Sequence, residues 1–193
     1  MSEQEFRPTD DGRTELPFCP SLIMIFYVDE KMKKKITEFT IHRRHLPHWE
    51  LPGATYFVTF TLKDRSLCDL TIDDYATIIL KTLAHYVNKR YFLYDHTVMP
   101  DHVHLMIQPI EYDGCVEPLG DILGDIKSYS ARKINERLGK KGSLWLDESY
   151  DRIIRDEKEY LEKANYIFQN PVIAGLIDDG AKWKWWSPGY EPQ

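Results

Sequence analysis

The chain has little cysteine: three in 193 residues, Cys19, Cys68 and Cys115, far apart and with no C-x-x-C pair. An odd, scattered set offers neither a disulfide framework nor a thiolate zinc site, and it fits a reducing cytoplasm. Long apolar runs are missing as well. The longest, Leu22 to Val28, is seven residues. That is too short to span a bilayer and lacks the flanks of a secretory signal, so no membrane association is expected. There is no internal repeat and no low-complexity tract. Net positive charge is also absent. The total is -6 and the pI about 5.6, which taken alone argues against a nucleic-acid partner.

What is present is the composition of one soluble, well-buried domain, with 42% hydrophobic and 29% charged residues. The charge is unevenly placed. Residues 1–15 carry five acidic and two basic side chains, whereas Lys127 to Lys141 holds six basic residues against one acid, Glu136. A local patch of this kind steers a polyanion while the total stays negative; its plainer reading is a solvated helix face. Lys127, Arg132, Lys133 and Arg137 are the first candidates for such contacts, and Arg152 and Arg155 the second.

Residues 1–40 read as an N-terminal extension, partly irregular, and residues 41–193 as the compact domain. Thr55–Leu62 alternates with period two and is rich in β-formers, which predicts a strand. Thr71 followed by Asp74 resembles a helix cap. The helix it opens should run to about Lys89, with Tyr75, Ile78, Ile79, Leu83 and Val87 as its apolar stripe. Tyr91–Met99 and His102–Gln108 make a hairpin around Pro100-Asp101. A second helix covers Leu119 to Leu138, buries Ile122, Ile126, Tyr129, Ile134 and Leu138, and stops at Gly139. A short strand near Tyr150–Ile154 and a helix from Glu157 follow. The order β-α-β-β-α-β-α predicts an α+β fold, a ferredoxin-like sandwich with an antiparallel sheet and helices on one face.

His102 and His104 stand two apart on the second hairpin strand, so both imidazoles leave the same face, as two ligands of one divalent ion would. On a wheel of the last helix, Leu161, Ala164 and Phe168 cluster on one side, flanked by Tyr160 and Ile167. Glu159, Glu162, Lys163, Gln169 and Asn170 cluster on the other, with Tyr166 among them, where the core has no need of a tyrosine. Asn170 is one turn further on, although Pro171 disfavours helical geometry there. Two imidazoles and an amide oxygen leave open positions on Mg²⁺ or Mn²⁺ for a phosphodiester oxygen, and the neighbouring phenol is a possible nucleophile. A zinc hydrolase is the competing reading, with His96 or Asp101 as a further ligand. Tyr166 as an ordinary surface tyrosine is the plain one. The aromatic tail, Trp183, Trp185, Trp186 and Tyr190, either packs over the core edge or stacks on unpaired bases.

Several runs resemble one family. Met99-Pro100-Asp101-His102-Val103-His104-Leu105 is similar to the histidine-hydrophobic-histidine (HUH) motif of single-tyrosine transposases of the insertion-sequence type. Tyr166 to Leu176 resembles the tyrosine helix of their domesticated relatives, the REP-associated tyrosine transposases. Leu144-Trp145, Tyr150 to Asp156 and Tyr56 to Phe60 match that group in the same order, over about residues 43–190. The resemblance implies cleavage and rejoining of single-stranded or hairpin DNA through a 5′-phosphotyrosine and a free 3′-hydroxyl. It implies Tyr166 as nucleophile, His102 and His104 as ligands of Mg²⁺ or Mn²⁺, and Asn170 as third-ligand candidate, where insertion-sequence members more often carry Gln. A monomer or homodimer is expected. The alternative function is a domesticated protein that holds a nucleic-acid hairpin without cutting it.

Overall fold

The computed structural model describes residues 40–43 and 47–189. Cys19, Tyr190 and nearly all of the expected N-terminal extension lie outside them. Strands β1 (Thr40–Arg43) and β2 (Pro47–Glu50) form an antiparallel pair of their own. The central elements then follow in the expected order: β3 (Tyr56–Thr61), α1 (Asp73–Ala84), β4 (Tyr91–Val98) and β5 (His102–Pro109). A small hairpin, β6 (Glu111–Tyr112) and β7 (Cys115–Val116), leads to α2 (Leu119–Leu138), β8 (Tyr150–Ile153) and α3 (Glu157–Ile173). A short 3-10 helix, Gly180–Lys182, precedes β9 (Trp186–Ser187).

Five strands make one sheet in the order β8-β3-β5-β4-β9, every pairing antiparallel. Without β9 this is the ferredoxin-like order, as the sequence predicts. The helices do not all share one face, however. Val58, Phe60, Val103, Leu105 and Ile107 meet Ala76, Ile79 and Leu83 of α1 and Ile122, Ile126 and Ile134 of α2 in the main core. Phe57 and Met106, one position out of phase, meet Ala164 and Ile167 of α3 in a second, smaller cluster. Strand side chains alternate between faces, so α3 lies on the side of the sheet opposite α1 and α2. The reason is in β3 and β5. Both put a bulky apolar residue on each face, and the second one needs a cover.

Two helix ends differ from their sequence signals. Thr71 does not cap α1; its hydroxyl donates to the Asp69 carboxylate instead. The helix stops at Ala84 rather than near Lys89, because Asn88 takes a left-handed φ of 62° and turns the chain into β4. Val87 still packs on the core from beyond the helix. In α2 the stop is as expected, with Gly139 at φ 63°. Tyr129 is not buried there: it is 47% exposed at the margin of the apolar sector, with the Arg132 guanidinium over its ring. α3 runs through Pro171 to Ile173, so Asn170 keeps helical geometry. The described part of the aromatic tail packs inward. Trp185 is in the main core, Trp183 Nε1 donates to the Val98 carbonyl at 3.2 Å, and the Trp186 ring meets Phe168 at 4.9 Å. Among the described residues no helix is long and apolar enough to cross a membrane.

Candidate active site

The tight turn at Met99–Asp101 returns the chain as β5, which carries His102 and His104 on the α3 face. Register places Thr59 of β3 and Thr97 of β4 on either side of His104. The two imidazoles meet through their Nε2 atoms, 3.0 Å apart. Each ring is held from behind at Nδ1. Asp101 Oδ1 is 2.6 Å from Nδ1 of His102, and Thr59 Oγ1 is 2.7 Å from Nδ1 of His104. Asp101 is itself steadied by Arg65, at 3.0 Å. Partners of this kind fix ring orientation and aim the other nitrogen into the site.

His104 is 5% exposed. Burial, and after it the neighbouring His102, push its pKa down to about 3, against the pull of the Asp101 carboxylate. It is therefore a neutral imidazole at physiological pH, the form that offers a lone pair to a metal. Two donors at 3.0 Å are close to the separation of adjacent ligands around an ion with bonds of ~2.1 Å. Among the described residues no group of three His, Cys, Asp or Glu side chains could hold a metal, so a third protein donor would have to come from another residue type. The residues fit a hard divalent ion that keeps open positions better than a closed zinc site. The zinc-hydrolase reading loses both proposed ligands. His96 pairs with Leu105 and so shares the face opposite His104, and Asp101 lies behind His102.

Tyr166 crosses this pair from α3. Its ring centroid is 5.2 Å from that of His104 and 5.8 Å from that of Phe57, both edge-on. Phe57 in turn stacks on His104 at 5.4 Å. The phenol is nonetheless 42% exposed. Asn170 follows one turn later, half-buried, and its side chain makes no hydrogen bond to another described residue. The structure thus brings His102, His104 and Tyr166 into one cluster, and Asn170 lies one turn beyond Tyr166 on α3.

The basic candidates divide. α2 packs on the far side of the sheet, so Lys127, Arg132, Lys133 and Arg137 are not on the histidine face. Lys127 donates to the Asp147 carbonyl at 2.7 Å, Lys133 pairs with Glu136 at 2.9 Å, and Arg137 pairs with Asp74. Arg132 joins Lys140 and Lys141 around a shallow cavity at the end of α2. Arg152 and Arg155 do stand on the histidine side. They share one carboxylate, Glu159, at 2.6 and 2.8 Å. Burial alone would raise that carboxyl, but hydrogen bonds from the Arg155 side chain and backbone and from Arg152 hold it at about 2.

Sequence reasoning passed over Thr59, Phe57 and Arg65, and read Asp101 only as a turn residue or zinc ligand. The signal available was the alternation Phe57, Thr59, Thr61, a face with no apolar stripe of its own. It also placed Gln169 with the solvated residues, whereas Gln169 is 4% exposed.

Comparison with known proteins bears on the family and the fold. Residues 53–170 match the family described as Transposase IS200 like. A Haemophilus influenzae protein named as a REP-associated tyrosine transposase is 25% identical over 142 residues, which is 68% of this chain and 77% of that one. A solved REP-associated tyrosine transposase bound to a REP hairpin superposes with a TM-score of 0.59 at 19% identity, covering 80% of this chain and 92% of that one. At that identity the likeness supports the fold.

Proposed function

This chain belongs to the Transposase IS200 like family, and we propose that it is a metal-dependent endonuclease and strand transferase acting on single-stranded, hairpin-bearing DNA. One observation carries the reading: an exposed phenol, Tyr166, set edge-on against a buried neutral imidazole, 5.2 Å between centroids, beside two converging Nε2 atoms. The solved relative holds a REP hairpin, which supports the same substrate class here.

Tyr166 Oη attacks the scissile phosphorus. The Oη–P bond forms as the phenolic proton goes to solvent, the bond from phosphorus to the 3′ oxygen breaks, and that oxygen leaves as a 3′-hydroxyl after taking a proton from solvent. The DNA stays attached as a 5′-phosphotyrosine, and a 3′-hydroxyl attacking that linkage forms a new bond to phosphorus, breaks the Oη–P bond and returns Tyr166 as a phenol, which rejoins a strand. Phe57 and His104 hold the phenol ring in place. Asp101 and Thr59 orient the imidazoles. Mg²⁺ or Mn²⁺, held by His102 and His104 with Asn170 as third donor, would polarise the phosphate and offset the charge that builds on it.

The test is incubation of the protein with labelled hairpin DNA bearing single-stranded arms, with Mn²⁺ or Mg²⁺, followed by a denaturing gel. A covalent adduct that requires the metal and Tyr166 is expected. Hairpin binding with no adduct would replace this reading with the non-cleaving binder.

A further inference from the structure

Lys163 stands one turn before Tyr166 on α3. Its Nζ lies 5.0 Å from the centroid of the Phe57 ring and 5.9 Å from that of Tyr166. It is near enough to His104 for its charge to oppose protonation of that ring. Other described cations on this side are committed: Arg152 and Arg155 to Glu159, Arg65 to Asp101, and Lys158 to Glu162. Lys163 makes no ion pair with a carboxylate among the described residues. Aromatic faces attract an ammonium but leave its three N–H donors available. A half-buried cation of this kind, beside the phenol and the Phe57 ring, is suited to an anionic ligand.

We propose that Lys163 is a phosphate-contacting catalytic residue, its ammonium engaging a non-bridging oxygen of the scissile phosphodiester and holding phosphorus against Tyr166 Oη. The inference rests on the transferase reading above. The Lys163 side chain transfers no proton in the step. As the Oη–P bond forms and the bond to the 3′ oxygen breaks, its charge faces the phosphoryl oxygens where negative charge collects. The phenolic proton goes to solvent, and the leaving oxygen takes its own from there.

Two measurements on the full chain test this. The first is the rate of adduct formation on hairpin DNA with single-stranded arms in Mn²⁺. Lys163→Met keeps the length and the ring contacts without the charge, and should slow adduct formation by roughly 10- to 100-fold. Lys163→Arg should stay within about fivefold of wild type, because it keeps a charged donor. The second is binding in a Tyr166→Phe background, where nothing is cut. Neutral methylphosphonates are placed one at a time along the arms. At a single linkage, adding Lys163→Met and neutralising the linkage should weaken binding no more than either change alone. An adduct from wild type with an unchanged rate in Lys163→Met, and with no coupled linkage, would reduce Lys163 to a packing residue. A coupled linkage with no adduct from wild type would keep the phosphate contact and remove the tyrosine chemistry. Neither adduct nor coupling would overturn both.

Discussion

One sheet in this protein carries two unlike faces. Val58, Phe60, Val103, Leu105 and Ile107 point to α1 and α2 and are at most 1% exposed. Their immediate neighbours in the chain, Phe57, Thr59, His102, His104 and Met106, point to α3. The first face is uniformly apolar and holds the larger cluster, so at ~1.5–3 kcal/mol per buried side chain it supplies most of the stability. The second mixes aromatic rings with imidazoles, hydroxyls and a carboxylate held by two arginines. Stability and chemistry are therefore separated by one position in sequence and by the thickness of a strand. A polar site can stay rigid here because the opposite side of its own backbone is locked into a core.

The separation can be tested by substitutions on either side. The largest effect is expected on the α3 face. Tyr166→Phe should cut adduct formation by at least ~10⁴-fold. The urea midpoint should hardly move, because the ring keeps its contacts with Phe57 and His104. Next comes Leu105→Ala, adjacent to His104 in sequence but on the core face. It should lose ~2–5 kcal/mol of unfolding free energy while its folded fraction still cleaves; undiminished stability would mean the faces are not so divided. Glu159→Gln leaves Arg152 and Arg155 without their carboxylate and should cost roughly 1–3 kcal/mol at neutral pH. The sign with pH follows from the depressed carboxyl. Glu159 contributes stability above its ordinary value of 4.5, and that contribution is lost as pH falls toward about 2. Urea curves across that window should show the fall in wild type and a weaker one in Glu159→Gln. The smallest effect is expected from neutralising Lys127, Arg132, Lys133 and Arg137 together. Each phosphate contact contributes ~0.7 to the salt slope of single-strand binding. With α2 on the far face, the slope should fall by less than half. A larger fall would mean that DNA passes the sheet edge onto α2.

How much of this could be read from the residues depended on range. The turn at Pro100-Asp101, the shared face of His102 and His104 and the stop at Gly139 are local, and spacing alone reveals them. The course of α3 over the opposite face is not local. It follows from Phe57 and Met106 being bulky on the side that α1 and α2 leave open, which becomes visible only when β3 and β5 are paired. Glu159 looked solvated because a helical wheel cannot see Arg152 arriving from β8. Thr59 looked like any strand threonine until register set it opposite His104. Tyr129 failed by a small angle, at the edge of a sector whose width depends on the neighbouring helix.

The contact between the two Nε2 atoms has room for a single proton. Asp101 accepts N–H from His102 Nδ1, so a neutral His102 presents a lone pair at Nε2. The shared proton then belongs to His104, in its Nε2–H tautomer, and His104 Nδ1 accepts from the Thr59 hydroxyl. A cation engaging both Nε2 atoms needs the other tautomer of His104, with the proton on Nδ1. Thr59 serves both, because a hydroxyl that donated can turn and accept with no heavy atom moving. Valine could do neither, and a carboxylate or an ammonium only one. Were an ion to bind at His104, the proton would have to cross one ring, from the side that would meet the ion to the side that meets Thr59.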